Sequence, residues 1–175
     1  GFESVATVTF RTAGRVEVGG KVELVMPSEP GAQYGWRFTD GAALSSLETS
    51  GTSNAPGVSF VASGSIGTPT AAAVGYNVSN RTLVFTVAAH DLAQNTTYVF
   101  SITNVLTPSS TVGAANVIAT TFDAQDRLVD ATSSMTTEAI VAGALGSASF
   151  VTATDTPGFE SVATVTFRTA GRVEV

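Results

Sequence analysis

Apolar and polar residues alternate with a period of two along several short stretches of this chain, and no stretch carries the 3.6-residue stripe of an amphipathic helix. Phe2, Ala6, Val8 and Phe10 share one parity while Val5, Thr7, Thr9 and Arg11 share the other, which predicts a half-buried strand over residues 2–11. Residues 21–26 do the same, with Val22, Leu24 and Met26 set against Lys21 and Glu23. The Gly19-Gly20 pair between the two runs predicts an antiparallel hairpin. Prolines and glycines in residues 27–35 close the second run as a loop, and Trp36 then opens a short segment with Phe38.

Residues 40–56 are Gly, Ser, Ala and Thr with little periodicity, and they read as a long surface loop with room for a short helical turn. The two-residue period returns at Val58, Phe60 and Ala62 and breaks again over residues 63–69. Residues 71–78 and 82–87 form a pair of runs about the turn Ser79-Asn80-Arg81, with Leu83, Phe85 and Val87 facing one way. Later, Tyr98, Phe100 and Ile102 alternate with Val99, Ser101 and Thr103, and residues 116–122 bring Ile118, Thr120 and Phe122 to one side. Residues 123–137 are polar and irregular, 139–142 fit a short strand, and 147–152 alternate around Ala148 and Phe150. About nine short strands with turn chemistry between them predict an all-β antiparallel sandwich or barrel.

The first eighteen residues, GFESVATVTFRTAGRVEV, return without a single change at the end of the chain, where residues 158–175 repeat residues 1–18 at a distance of 157 positions. That period is far longer than solenoid units and suits a whole domain. We therefore expect residues 1–143 to form one β-sandwich module lacking its opening strand, 144–146 to act as a linker, and 147–175 to begin the next module. An unpaired sheet edge is a liability, so the missing strand is expected from the preceding repeat or a neighbouring chain.

Composition narrows the function. Apolar residues make up 43% and charged residues 13%, with mean hydropathy +0.28, so a folded core is specified. A net charge of −6 and a single lysine, Lys21, leave no basic face for phosphates or anionic lipid, and nucleic acid is not an expected partner. Cysteine is absent, which removes disulfides, thiolate metal sites and cysteine nucleophiles. No apolar run reaches the roughly 20 residues of a membrane-spanning helix.

Two blocks carry a resemblance. TVTFRTAGRVEVGGKVELVMP at residues 7–27 and FSITNVLTPSSTVGAANVIATTFDAQDRLVD at residues 100–130 resemble the strand-loop-strand patterns of tandem Ig-like β-sandwich repeats in giant extracellular surface and filament proteins. The resemblance implies one Ig-like sandwich per repeat and a stalk, adhesin or flagellar-hair type of protein, and it carries over no catalytic residue.

Candidate chemistry is sparse. Asn77-Val78-Ser79, Asn80-Arg81-Thr82 and Asn95-Thr96-Thr97 match the N-glycosylation acceptor pattern, with Asn95 best placed in a turn before a strand. Asp123, Asp126 and Asp130 are hard oxygen ligands close enough in sequence to suggest Ca²⁺, although the calcium-loop pattern is missing and Arg127 lies among them; the alternative is a solvated acidic turn with an Arg partner. No other cofactor is expected. His90-Asp91 lacks a nucleophile elbow, so the chain is not expected to be an enzyme. Lys21, on the polar face of its strand, is a poor candidate for an internal amide crosslink. Trp36, Phe38 and Tyr34 fit an aromatic platform for sugars, and the favoured alternative is Trp36 as a core plug of the sandwich. These readings lead to an extracellular or cell-surface structural protein whose partners are copies of itself and glycans, the alternative being an adhesin module that binds carbohydrate or another cell surface.

Overall fold

The computed structural model describes residues 3–28, 35–38, 48–49, 57–60, 68–77, 79–108, 110–154, 156–158 and 160–169. Among these the chain is all-β and antiparallel, with no helix. Twelve strands are described: β1 (Glu3–Arg11), β2 (Lys21–Val25), β3 (Arg37–Phe38), β4 (Glu48–Thr49), β5 (Val58–Phe60), β6 (Thr70–Asn77), β7 (Thr82–Ala88), β8 (Thr97–Leu106), β9 (Asn116–Phe122), β10 (Leu128–Thr136), β11 (Gly146–Thr152) and β12 (Ala163–Arg168).

The first ten strands form a β-sandwich. One sheet has β8 at its centre, with β1 along one edge and β3 and β5 in succession along the other. The second sheet runs β10-β9-β2-β7-β6-β4. Aromatic residues join the layers: Phe100 of the first sheet meets Phe85 of the second edge-to-face at 5.2 Å, and Phe60 and Phe10 approach Phe100 at 5.4 and 5.9 Å. Each such pair contributes about 0.5–1.5 kcal/mol beyond the area it buries. Around them lie Val22, Leu24, Leu83, Val87, Ile102 and Val117, all buried. The alternation predicted for β8 is observed, with Tyr98, Phe100 and Ile102 inward, and a bulge then resets it. Thr103 and Asn104, the latter at φ 59°, oppose the single residue Val5 of β1, so Val105 also turns into the core while Val5 is left exposed.

Four expectations need correction. β1 and β2 do not pair as a hairpin: β1 joins β8, while β2 lies between β7 and β9 in the other sheet. The connection is an arch between layers, pinned by the fully buried Val16, which exchanges backbone hydrogen bonds with Leu92 at 2.9 and 2.8 Å. Gly20 is needed at its end, since a Cβ there would lie 2.5 Å from the Phe122 carbonyl oxygen. On β9 the inward set is Val117, Ala119 and Thr121, and Ile118 is exposed. Large Val22 and Leu24 of β2 stand opposite Thr121 and Ala119, so small residues fill that layer while Ile118 sits beside Val25 on the outer face.

The polar run expected to be irregular contains β10, a sheet-edge strand whose side chains are largely exposed and therefore show no clean alternation. Residues 139–142 form no strand; Ile140 makes an isolated bridge to Val112. Within 40–56, Glu48–Thr49 pairs with β6, and the rest of that stretch, including the expected helical turn, lies outside the described residues. The turn at residues 79–81 joins β6 to β7 as expected.

Strands β11 and β12 form a separate two-stranded sheet and pair only with each other. Nearly all their side chains are exposed. Because β12 repeats residues 6–11 of β1, the same sequence occurs twice with different surroundings: Phe10 packs on Tyr98 and Phe100, whereas Phe167 is 55% exposed.

Candidate functional site

The edge of the sandwich between β1 and β10 is a developed surface feature. Both are outermost strands of their sheets, and between them opens a groove of about 410 Å³. Its floor is core material, Phe10, Val22, Leu24 and Ala119, and Met135 lines its far wall. One end is tied by Asp130, whose carboxylate accepts from the Gly14 amide at 3.0 Å and from the Thr121 hydroxyl at 3.3 Å, while its own amide donates to Thr121 Oγ1 at 3.1 Å. Asp130 thus fastens the β1–β2 arch to the second sheet. Gly14 sits so close that a Cβ would stand 2.5 Å from Val129 Cγ1.

A second apolar surface is the hairpin β11-β12. Residues directly opposite in an antiparallel pair point to the same face, so Phe150 shares a face with its partner Val165. Leu145, Ala148 and Phe167 line a shallow cleft with them, and Phe150 and Val165 are 70% and 61% exposed. In β1 the counterparts Val8 and Phe10 pack against the core. The hairpin therefore presents a core-type face without the layer that covers it elsewhere.

The three predicted carboxylates do not converge. Asp123 accepts from the amides of Gln125 and Arg127, both at 2.9 Å, and from Arg127 Nε at 2.6 Å; the Arg127 amide, chief among these donors, holds its carboxyl below the usual range. Asp126 pairs with Lys21 Nζ at 2.6 Å, which gives that lysine an ionic partner, and Asp130 serves the arch. Among the described residues no three acidic or histidine side chains gather as metal ligands. His90 is exposed, and the carboxylate of its neighbour Asp91 is engaged by the Arg15 guanidinium and by the Val18 amide at 2.7 Å. The Arg15 hydrogen bond lowers the Asp91 pKa, and Asp91 in turn raises that of Arg15.

Asn95 lies exposed in the turn before β8 at φ 54°, a left-handed conformation that Asn tolerates. Asn80 is exposed in the β6–β7 turn, where its side-chain oxygen accepts from the Thr82 amide at 3.2 Å; Asn77 is half-buried and accepts from the Ser79 amide at 3.0 Å. Trp36 packs against the core, with its indole Nε1 buried and unpartnered among the described residues, while Tyr34 lies outside them. Missing from the sequence-based reading were the Asp130 clamp and the β1–β10 groove, because a contact between residues 14 and 130 has no local signature.

The fold and these surfaces define an all-β antiparallel sandwich whose developed features are sheet edges and apolar faces. Compared with known protein families, curated proteins and solved structures, the chain matches none.

Proposed function

We propose that this protein is a structural segment of a long repetitive extracellular filament or cell-surface stalk, in which Ig-like β-sandwiches succeed one another every 157 residues. One observation carries the reading: a strand of identical sequence occurs once packed in a core, at Phe10, and once with the same apolar face open, at Phe167. An open face of this kind is a liability for an isolated soluble module and is relieved when the rest of another sandwich follows. Identical repeats suit the role, since identical units can repeat identical contacts indefinitely. Support for an extracellular setting comes from the exposed Asn95 acceptor and the sparse charge. Trp36, half-buried and packed against the core, favours this reading over an adhesin module with an aromatic sugar platform.

Chains carrying one, two and four full periods test the proposal by small-angle scattering. The expected result is a maximum dimension that grows by a constant increment per period; a constant increment shows beads in file. Compact clusters whose size grows only as the cube root of mass would overturn it.

A further inference from the structure

The hairpin records how a strand of β1 sequence is paired on the edge that β1 itself leaves open. In the sandwich, β1 pairs with β8 along one edge, and its other edge has no strand among the described residues. In the hairpin, the copy of this strand pairs with β11: Thr152 opposes Ala163, Val151 opposes Thr164, Phe150 opposes Val165 and Ser149 opposes Thr166. Carried back by one period, those partners are Ala6, Thr7, Val8 and Thr9.

We propose that the open edge of β1 is the seat of the preceding repeat's copy of Gly146–Thr152, added as an antiparallel strand in that register. This rests on the tandem reading above. Three observations favour that occupant. The slot is an unprotected edge with no proline or lysine to block it, and such edges accept strands. Beneath it lies the groove between β1 and β10, floored by Phe10, Val22 and Leu24. Phe150, opposite Val8 and therefore on the core-facing side of β1, would extend over that groove, moving a large apolar side chain from solvent to core. Finally, β11 ends at Thr152 and its partner β12 begins at Ala163, so the same spacing ahead of Ala6 of β1 lets the preceding repeat deliver the strand in the same chain. Each module is then closed by residues that stand, in sequence, before its own repeat boundary.

The test adds a copy of residues 146–157 ahead of Gly1 and reads disulfide formation under mild oxidation. With Thr9→Cys and Ser149→Cys in the added copy, crosslinking within one chain is expected to be near complete. Moving the second cysteine two residues, to the added copy of Val151, is expected to reduce it about tenfold or more, because the Cα atoms then lie beyond the roughly 7 Å a disulfide spans. Thr9 is exposed on β1, and Ser149 and Val151 are exposed in the hairpin, so none of these substitutions disturbs the core. The chain without the addition, carrying Ser149→Cys and Thr166→Cys, should crosslink and so confirm the parent register; its failure would remove the register and the proposal with it. Crosslinks between chains instead of within one would assign the slot to a second copy and overturn delivery within the chain. Absence of any Thr9 crosslink while the parent pair forms would show that β1 is not the seat, and the scattering increment would still decide the filament reading independently.

Discussion

Phe10 and Phe167 occupy the same position of the repeated sequence, and replacing each by alanine isolates what tertiary context adds. Phe10 is half-buried and stacks edge-to-face on Phe100 at 5.9 Å and tilted on Tyr98 at 6.2 Å, rings that also hold Phe60 and, through Phe100, the second sheet. A fully buried phenylalanine costs about 3–5 kcal/mol on truncation to alanine, and partial exposure brings the expectation for Phe10→Ala to about 2–3 kcal/mol. Phe167 is 55% exposed on a hairpin whose strands, among the described residues, pair only with each other, so Phe167→Ala should fall within about 0.5 kcal/mol of the parent. In thermal unfolding monitored by far-ultraviolet circular dichroism, the first variant should melt about 4–12 °C lower and the second should be indistinguishable. Measurement at low micromolar concentration keeps self-association through the open hairpin face from masking the contrast. Equal shifts in the two variants would refute the reasoning, because they would place the second copy in a core of its own.

Gly14→Ala should lower stability by about 1–3 kcal/mol in urea unfolding, since the new methyl would meet Val129 and strain the Asp130 clamp. Acid should weaken the fold: Asp91 and Asp123 have pKa values lowered by folding, so their contribution is present above the ordinary carboxylate range and is lost as pH falls through the lowered values. Asp91→Asn should accordingly flatten the dependence of the urea midpoint on pH in the acid range, with the deficit against the parent largest at neutral pH and shrinking as pH falls. On expression through a eukaryotic secretory pathway, Asn95→Gln should remove one glycan-sized mass from the intact protein, and unchanged mass would exclude Asn95 as an acceptor.

Much of the architecture was legible from local pattern. The alternation of Tyr98, Phe100 and Ile102 identifies the central strand because a pleated strand exposes successive side chains to opposite faces, and the turn at Ser79-Asn80-Arg81 marks a true hairpin because its chemistry is local. Residues 116–122 were ambiguous for a physical reason: both parities carry apolar residues, and only the bulk of Val22 and Leu24 opposite selects Val117, Ala119 and Thr121 for the interior. The strand β10 was invisible because an edge strand mostly facing water need not alternate. The groove was equally hidden, since its walls come from strands separated by more than a hundred residues.

The amino-acid sequence alone determined the all-β class, the positions of most strands and the 157-residue recurrence, since these depend on side-chain period, turn residues and identity along the chain. Tertiary structure decided which strands became partners. It sent β1 to β8 and β2 to the opposite layer, despite the Gly-Gly pair between them, because sheet pairing is settled by distant strands that supply hydrogen bonds and a complementary face. It also gave one strand sequence two fates, packed at Phe10 and open at Phe167, because burial is a property of what lies opposite a side chain.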